Sequence, residues 1–204
     1  MKQQSDLGFF ERIYFLVFKP RTFFEEVEGE GLGRALLYAL PAYFGITLLV
    51  SIIVSVVAAY TIGLDKAVYG GLLAAAIYII GVPLAAIIMA LPNHVLLKLY
   101  PFQGETSSGT LKDTFQVYVY AFAYLYLVLS PLLTIVFFVP NVAVWLMILA
   151  FAGAIFLQVY LLIVTSKGLS TVHDVSFTHA ITSIILTGIV LRIISFLIEK
   201  ILGG

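Results

Sequence analysis

Cysteine is absent from the 204 residues, which excludes disulfide scaffolds, thiolate zinc sites, iron–sulfur clusters and cysteine nucleophiles together. Charge is scarce as well. Asp, Glu, Lys and Arg make up 11% of the chain, against about 25% in globular proteins. The eleven cations and eleven anions cancel, so no basic field exists to hold nucleic acid phosphates, and nucleic acid is not an expected partner. Also missing are a phosphate-binding glycine loop, a serine-nucleophile motif, an HExxH motif and a pair of acids within an apolar run. No catalytic residue, cofactor or enzyme activity is therefore assigned. What the chain has in excess is apolar side chains, 62% of residues, more than a soluble core of this size can hide. The class that fits is an all-α, polytopic integral membrane protein.

The charge map places the spans. A membrane helix needs about 20 predominantly apolar residues, and no charge falls between Arg34 and Asp65 or between Lys66 and Lys98. Spans are expected at about 36–59 and 67–91, the second ending at Pro92, Asn93 and His94. The uncharged interval from Thr114 to Ser166 would be about 80 Å long as one helix and must fold back. Val139, Pro140 and Asn141 offer the turn, giving spans at about 115–138 and 142–165. A fifth follows at about 177–198, with Arg192 near enough to its end to reach the headgroups. The domain reading is thus a five-span region, 35–202, preceded by a segment, 1–34.

That segment lacks the apolar core of a secretory signal and is expected to stay on the protein. Phe9, Ile13, Leu16 and Val17 share a helical face, flanked by Phe10 and Tyr14. Gly8, Glu11, Arg12 and Lys19 mark the other side. An interfacial amphipathic helix is expected, ended by Pro20. A second short helix follows, in which Thr22 and Glu25 have capping-box spacing and Phe23 and Phe24 supply apolar contacts.

Five spans put the termini on opposite sides. With the N-terminus in the cytoplasm, Lys2, Arg12, Lys19, Arg21, Arg34, Lys98, Lys112 and Lys167 lie inside, and only Lys66 and Lys200 outside. The positive-inside rule then gives a cytoplasmic N-terminus and an outer C-terminus. If the chain is prokaryotic, the membrane is the cell membrane. The polar connections gather on the cytoplasmic side.

His94, His173 and His179 fall near that edge, with Asp113 and Asp174. The six-residue gap between His173 and His179 is not the i, i+4 spacing of a helical metal motif, so no metal ligand is assigned and capping by Asp174 or Ser176 is the preferred role. The third span carries Tyr118, Tyr120, Tyr124 and Tyr126, and Gln116 and Gln158 add amides. Packing accounts for them more simply than a polar pathway. Gly71 with Ala75, and Gly81 with Ala85, have the spacing of close helix approach.

The order of these features resembles the Yip domain family, the Ypt/Rab-interacting five-span membrane proteins and their prokaryotic relatives. The resemblance rests on Lys19-Pro20-Arg21-Thr22-Phe23-Phe24-Glu25, on Gly109-Thr110-Leu111-Lys112-Asp113-Thr114-Phe115 leading into Tyr118, Tyr120 and Pro131, and on Gly168-Leu169 followed by His173, Ser176 and Ala180. It implies a non-enzymatic scaffold or adaptor acting through its cytoplasmic face in membrane organisation or trafficking-like processes. Eukaryotic members carry longer N-terminal regions, whereas about 34 residues precede the first span here. That sets the chain beside the short prokaryotic, especially archaeal, branch and leaves GTPase binding open. Expected partners are the lipid bilayer and a membrane or cytoplasmic protein, with homo-oligomerisation open. Candidate interaction residues on the cytoplasmic face are Pro20, Phe23, Phe24, Lys112, Asp113, His173 and Asp174; candidate polar groups of the bundle are Tyr118, Tyr120 and Gln158. The alternative reading is a small permease or lipid-handling transporter.

Overall fold

The computed structural model describes residues 7–62, 64–99, 104–138 and 144–202, with side chains detailed for most of them. Among these residues the regular elements are all helices: α1 (Phe9–Phe18), α2 (Pro20–Val27), α3 (Leu32–Ile62), α4 (Leu64–Leu99), α5 (Leu111–Phe138), α6 (Val144–His173) and α7 (Phe177–Leu202). A backbone in hydrocarbon must satisfy its own amides and carbonyls, and helices do so segment by segment. Leu32–Val56, Ile79–Leu99, Phe151–His173 and Phe177–Ile201 are each long and apolar enough to cross a membrane. The span expected at 115–138 falls on α5, and the turn expected at Val139 to Asn141 lies outside the described residues.

α5 is the central helix. Every residue from Gln116 to Tyr124 is buried, because α1, α3, α4 and α6 all pack against it. α3 shows how the outer helices face lipid: Leu36, Leu40, Phe44, Leu48, Ile52 and Val56 are exposed at every fourth residue, while Ala35, Ala39, Ala42, Ile46 and Val50 turn inward. The small inward residues let helices approach closely. Gly71 of α4 sits where a Cβ would meet the Ser55 hydroxyl and stand 3.1 Å from the Ser51 carbonyl of α3. Among the described residues nothing lies within 4 Å of where a Gly81 Cβ would stand, so of the two expected small-residue pairs the first shows a tight crossing there.

Two helices outrun their expected ends by about two turns. α4 continues through Pro83 and Pro92 to Leu99, about two turns beyond the expected stop. Proline forfeits a backbone bond, but helices in a membrane tolerate it where neighbours supply partners. The residue after Pro92 ties α4 to α7: the Asn93 amide donates to the Ser183 and Thr187 hydroxyls at 3.0 and 3.3 Å. α6 runs on to His173, shortening the expected polar connection to Asp174, Val175 and Ser176. It stops because Asp174 adopts a left-handed conformation, φ 52°, and the Val175 amide reaches back to the Ser170 carbonyl, a Schellman ending. Ser176 then caps α7, accepting from the His179 amide.

The N-terminal part of the chain also departs from expectation. α2 starts at Pro20, in the first helical position, with Lys19 as N-cap. Proline suits that place because its missing amide would be unpaired there anyway. Thr22 is therefore inside the helix and caps nothing. In α1, Arg12 is fully buried with Leu16, while Phe10, Tyr14 and Phe18 are 81%, 51% and 70% exposed. The expected apolar face, Phe9, Ile13, Leu16 and Val17, does pack against the bundle, and Gly8, Glu11 and Lys19 stay exposed. The departure is Arg12, which turns inward, while the flanking Phe10, Tyr14 and Phe18 face outward. The reason is a carboxylate far along the chain, as follows.

Candidate functional site

The N-terminal ends of α3, α5 and α7 and the C-terminal ends of α4 and α6 share one end of the bundle, and α1 and α2 cover it. At this capped end Arg12 meets Glu30, which lies between α2 and α3. The guanidinium donates to both carboxylate oxygens, at 2.6 and 3.1 Å. Its remaining donors reach the Tyr120 hydroxyl of α5 at 2.7 Å and the Leu7 carbonyl at 3.0 Å. Tyr120 in turn donates to Glu30 at 2.5 Å, and the Tyr38 ring of α3 lies 3.7 Å below the guanidinium. A buried pair repays its desolvation only when such extra bonds are complete. Burial alone would loosen the Arg12 proton, but the Glu30 carboxylate and the nearby phenols reverse this and hold it more tightly than usual.

α2 is fixed beside this pair. Phe23, Phe24 and Val27 are buried, Phe23 standing edge-on to Tyr120 at 5.1 Å. Gln116 of α5 donates to the Val27 carbonyl at 2.9 Å, and Tyr160 of α6 donates to the Val17 carbonyl. Gly168 lets α6 approach: a Cβ there would lie 2.6 Å from the Phe24 ring and 2.8 Å from Val117.

On the other side of α5 a polar chain joins three helices. His94 Nδ1 of α4 is 2.9 Å from Thr114 Oγ1, which is 2.8 Å from His173 Nε2 of α6. His173 Nδ1 is 2.6 Å from Ser107 Oγ, and Lys98 donates to the Ser107 carbonyl at 2.7 Å. Asp113 accepts from the Thr110 amide and hydroxyl, closing the cap of α5. Glu105 accepts from the Ser176 amide at 2.8 Å and stands 3.5 Å from His179. The Ser176 bonds, with His179 nearby, hold the Glu105 carboxyl below its usual range. Among the described residues no three His, Cys, Asp or Glu side chains gather as a metal would need.

Two of the concavities bear on function. A groove of about 580 Å³ opens at the capped end between α2 and the α6–α7 turn, with Arg21, Glu25, Glu28, Lys167, Thr171 and Asp174 on its walls. A second cleft, of about 350 Å³, lies deeper between α4, α5, α6 and α7.

The sequence-based candidates divide accordingly. Pro20, Phe23, Phe24 and His173 are buried and hold the capped end together, whereas Lys112 and Asp174 are exposed and Asp113 is half-buried in its cap. Tyr118 and Gln158 line the same deep cleft. Tyr120, two residues on and across the helix, faces Arg12 instead. Sequence reasoning missed Glu30, whose one signal was an acid set between Gly29 and Gly31.

Comparison with curated proteins and with solved structures gives no match. The Yip1 domain, however, matches residues 14–198, which takes in the second half of α1, all of α2 through α6, and most of α7. The chain belongs to the Yip1 domain family of membrane proteins.

Proposed function

We propose that this chain is a non-enzymatic membrane scaffold or adaptor. In this reading it crosses the bilayer five times, its capped end lies in the cytoplasm, and a protein partner docks in the groove between α2 and the α6–α7 turn. Eight Lys and Arg fall on that side against two on the other, which supports the orientation. The groove is the observation that carries the reading. Its rim alternates in sign, Arg21 and Lys167 against Glu25, Glu28 and Asp174, and such patterns select a complementary partner and fix its register. Its α2 wall is already fixed, since Phe23, Phe24 and Val27 of that helix are buried, so docking orders little of the chain. Lys112 and Asp174, both exposed, extend the same face.

A photo-crosslinking residue placed at Thr171 in native membranes tests this directly. A reproducible protein adduct is expected from Thr171 and not from Glu199. Lys167→Glu should reduce it at least about fivefold, the effect of about 1 kcal/mol at a contact residue. Equal labelling from both positions, or none from either, would overturn the reading.

A further inference from the structure

The deep cleft goes beyond the adaptor reading. Its walls carry no charged side chain, and Ala85, Met89, Phe122, Leu161 and Thr165 supply most of them. Tyr118 lines it, a residue 1% exposed whose buried hydroxyl has no hydrogen-bond partner among the described residues. Such a group is costly to leave unpaired in an apolar medium.

Depth narrows the choice of partner. α5 has 28 residues, about 42 Å of helix against a hydrocarbon core about 30 Å thick. A centred α5 therefore leaves about 6 Å beyond the core at each end. Tyr118 stands about 10 Å from its start, just inside the hydrocarbon edge, and helical side chains lean toward the N-terminus, here toward the capped end. The cleft continues inward along α6 from Thr165 to Gln158, about 10 Å along the axis. It is thus elongated across the leaflet, apolar along most of its length, and provided with an unpaired hydrogen-bond donor where lipid ester groups lie. A helix about 10–12 Å across is too broad for it, and an ion would find no charge. Its volume falls within the range of about 300–1,000 Å³ of small-molecule sites.

We infer that this cleft holds one chain of a bilayer glycerolipid, with an ester oxygen at the glycerol end accepting the Tyr118 hydroxyl hydrogen. The lipid comes from the leaflet at the capped end. Gln158 stands at the inner limit of the site.

The test uses the full-length chain in phosphatidylcholine vesicles doped with a phosphatidylcholine carrying a diazirine in its acyl chain. After illumination, adducts should concentrate on the peptides around Ala85 to Met89 and Leu161 to Thr165, several-fold above the exposed stretch Ile193 to Ile198. Ala85→Phe, which fills the cleft, should bring those peptides down to the level of that stretch. Tyr118→Phe separates the roles of shape and hydroxyl. In lipid-depleted detergent its thermal midpoint should equal or exceed wild type, because an unpaired hydroxyl has gone. On adding back phosphatidylcholine, wild type should gain more than the variant, corresponding to about a two- to tenfold difference in lipid affinity, the worth of one hydrogen bond. Adducts spread evenly over all lipid-facing residues, unchanged by Ala85→Phe, would overturn the inference. So would equal lipid-dependent gains in wild type and Tyr118→Phe.

Discussion

At the scale of single residues the Arg12–Glu30 pair decides how the N-terminal segment sits. Its partners are 18 and 108 residues away in sequence, so a helical-wheel reading of α1 had no means of finding them and assigned Arg12 to the solvent side. Breaking a buried pair leaves one charge stranded at a cost of about 3–5 kcal/mol, whereas replacing both charges by apolar groups of similar volume is often close to neutral. Arg12→Met is therefore expected to lower the thermal midpoint in detergent sharply, and Arg12→Met with Glu30→Met to recover most of the loss. If the double variant is as unstable as the single one, Tyr120 and Leu7 are the partners that matter. Glu105 gives a pH prediction. Its carboxyl titrates below its usual range, so its bond to Ser176 stabilises the link at 104–110 above that range and loses its effect as pH falls through the lowered value. Proteolysis within 104–110 should accelerate on acidification from pH 5 downward. Glu105→Gln, which keeps an acceptor oxygen without the titration, should flatten that dependence.

Among elements, the α1–α2 cap carries most of what was new. The apolar periodicity of residues 9–17 and the break at Pro20 were legible in sequence because proline and amphipathicity are local signals. The inward turn of Arg12 and the seating of Phe24 against α6 were not, since the first depends on Glu30 and the second on Gly168 leaving room for an aromatic ring. α4 and α6 outran their expected ends in ways composition does not reveal: the hydroxyls that hold Asn93 lie on α7, and α6 is ended by the backbone conformation of Asp174. Phe24→Ala should destabilise by about 3–5 kcal/mol, as aromatic truncations in a packed core do. Gly168→Val should undock α2 from the opposite side. In both variants trypsin is expected to cut after Arg21, exposed at the start of α2, faster than in wild type while the apolar helices stay protected. Unchanged cleavage would mean that α2 is held by Arg12 and Glu30 alone.

The whole molecule was the most legible scale, because a scarcity of charge is visible without any structure. Uncharged intervals fall on α3, α4, α6 and α7, and the tyrosine-rich segment falls on the central α5, where aromatic bulk fills the space between neighbours. What sequence could not place was the groove and the deep cleft, each assembled from helices far apart in the chain. The adaptor reading needs the groove to face the cytoplasm, and the lack of native cysteine makes that the simplest point to measure. Single cysteines at Thr106 and Lys167, both exposed at the capped end, and at Glu199, exposed near the far end of α7, should be challenged with a membrane-impermeant maleimide. Thr106→Cys and Lys167→Cys are expected to label only after permeabilisation, and Glu199→Cys in intact cells; labelling of Lys167→Cys from outside would place the groove on the wrong side of the membrane and contradict a cytoplasmic adaptor.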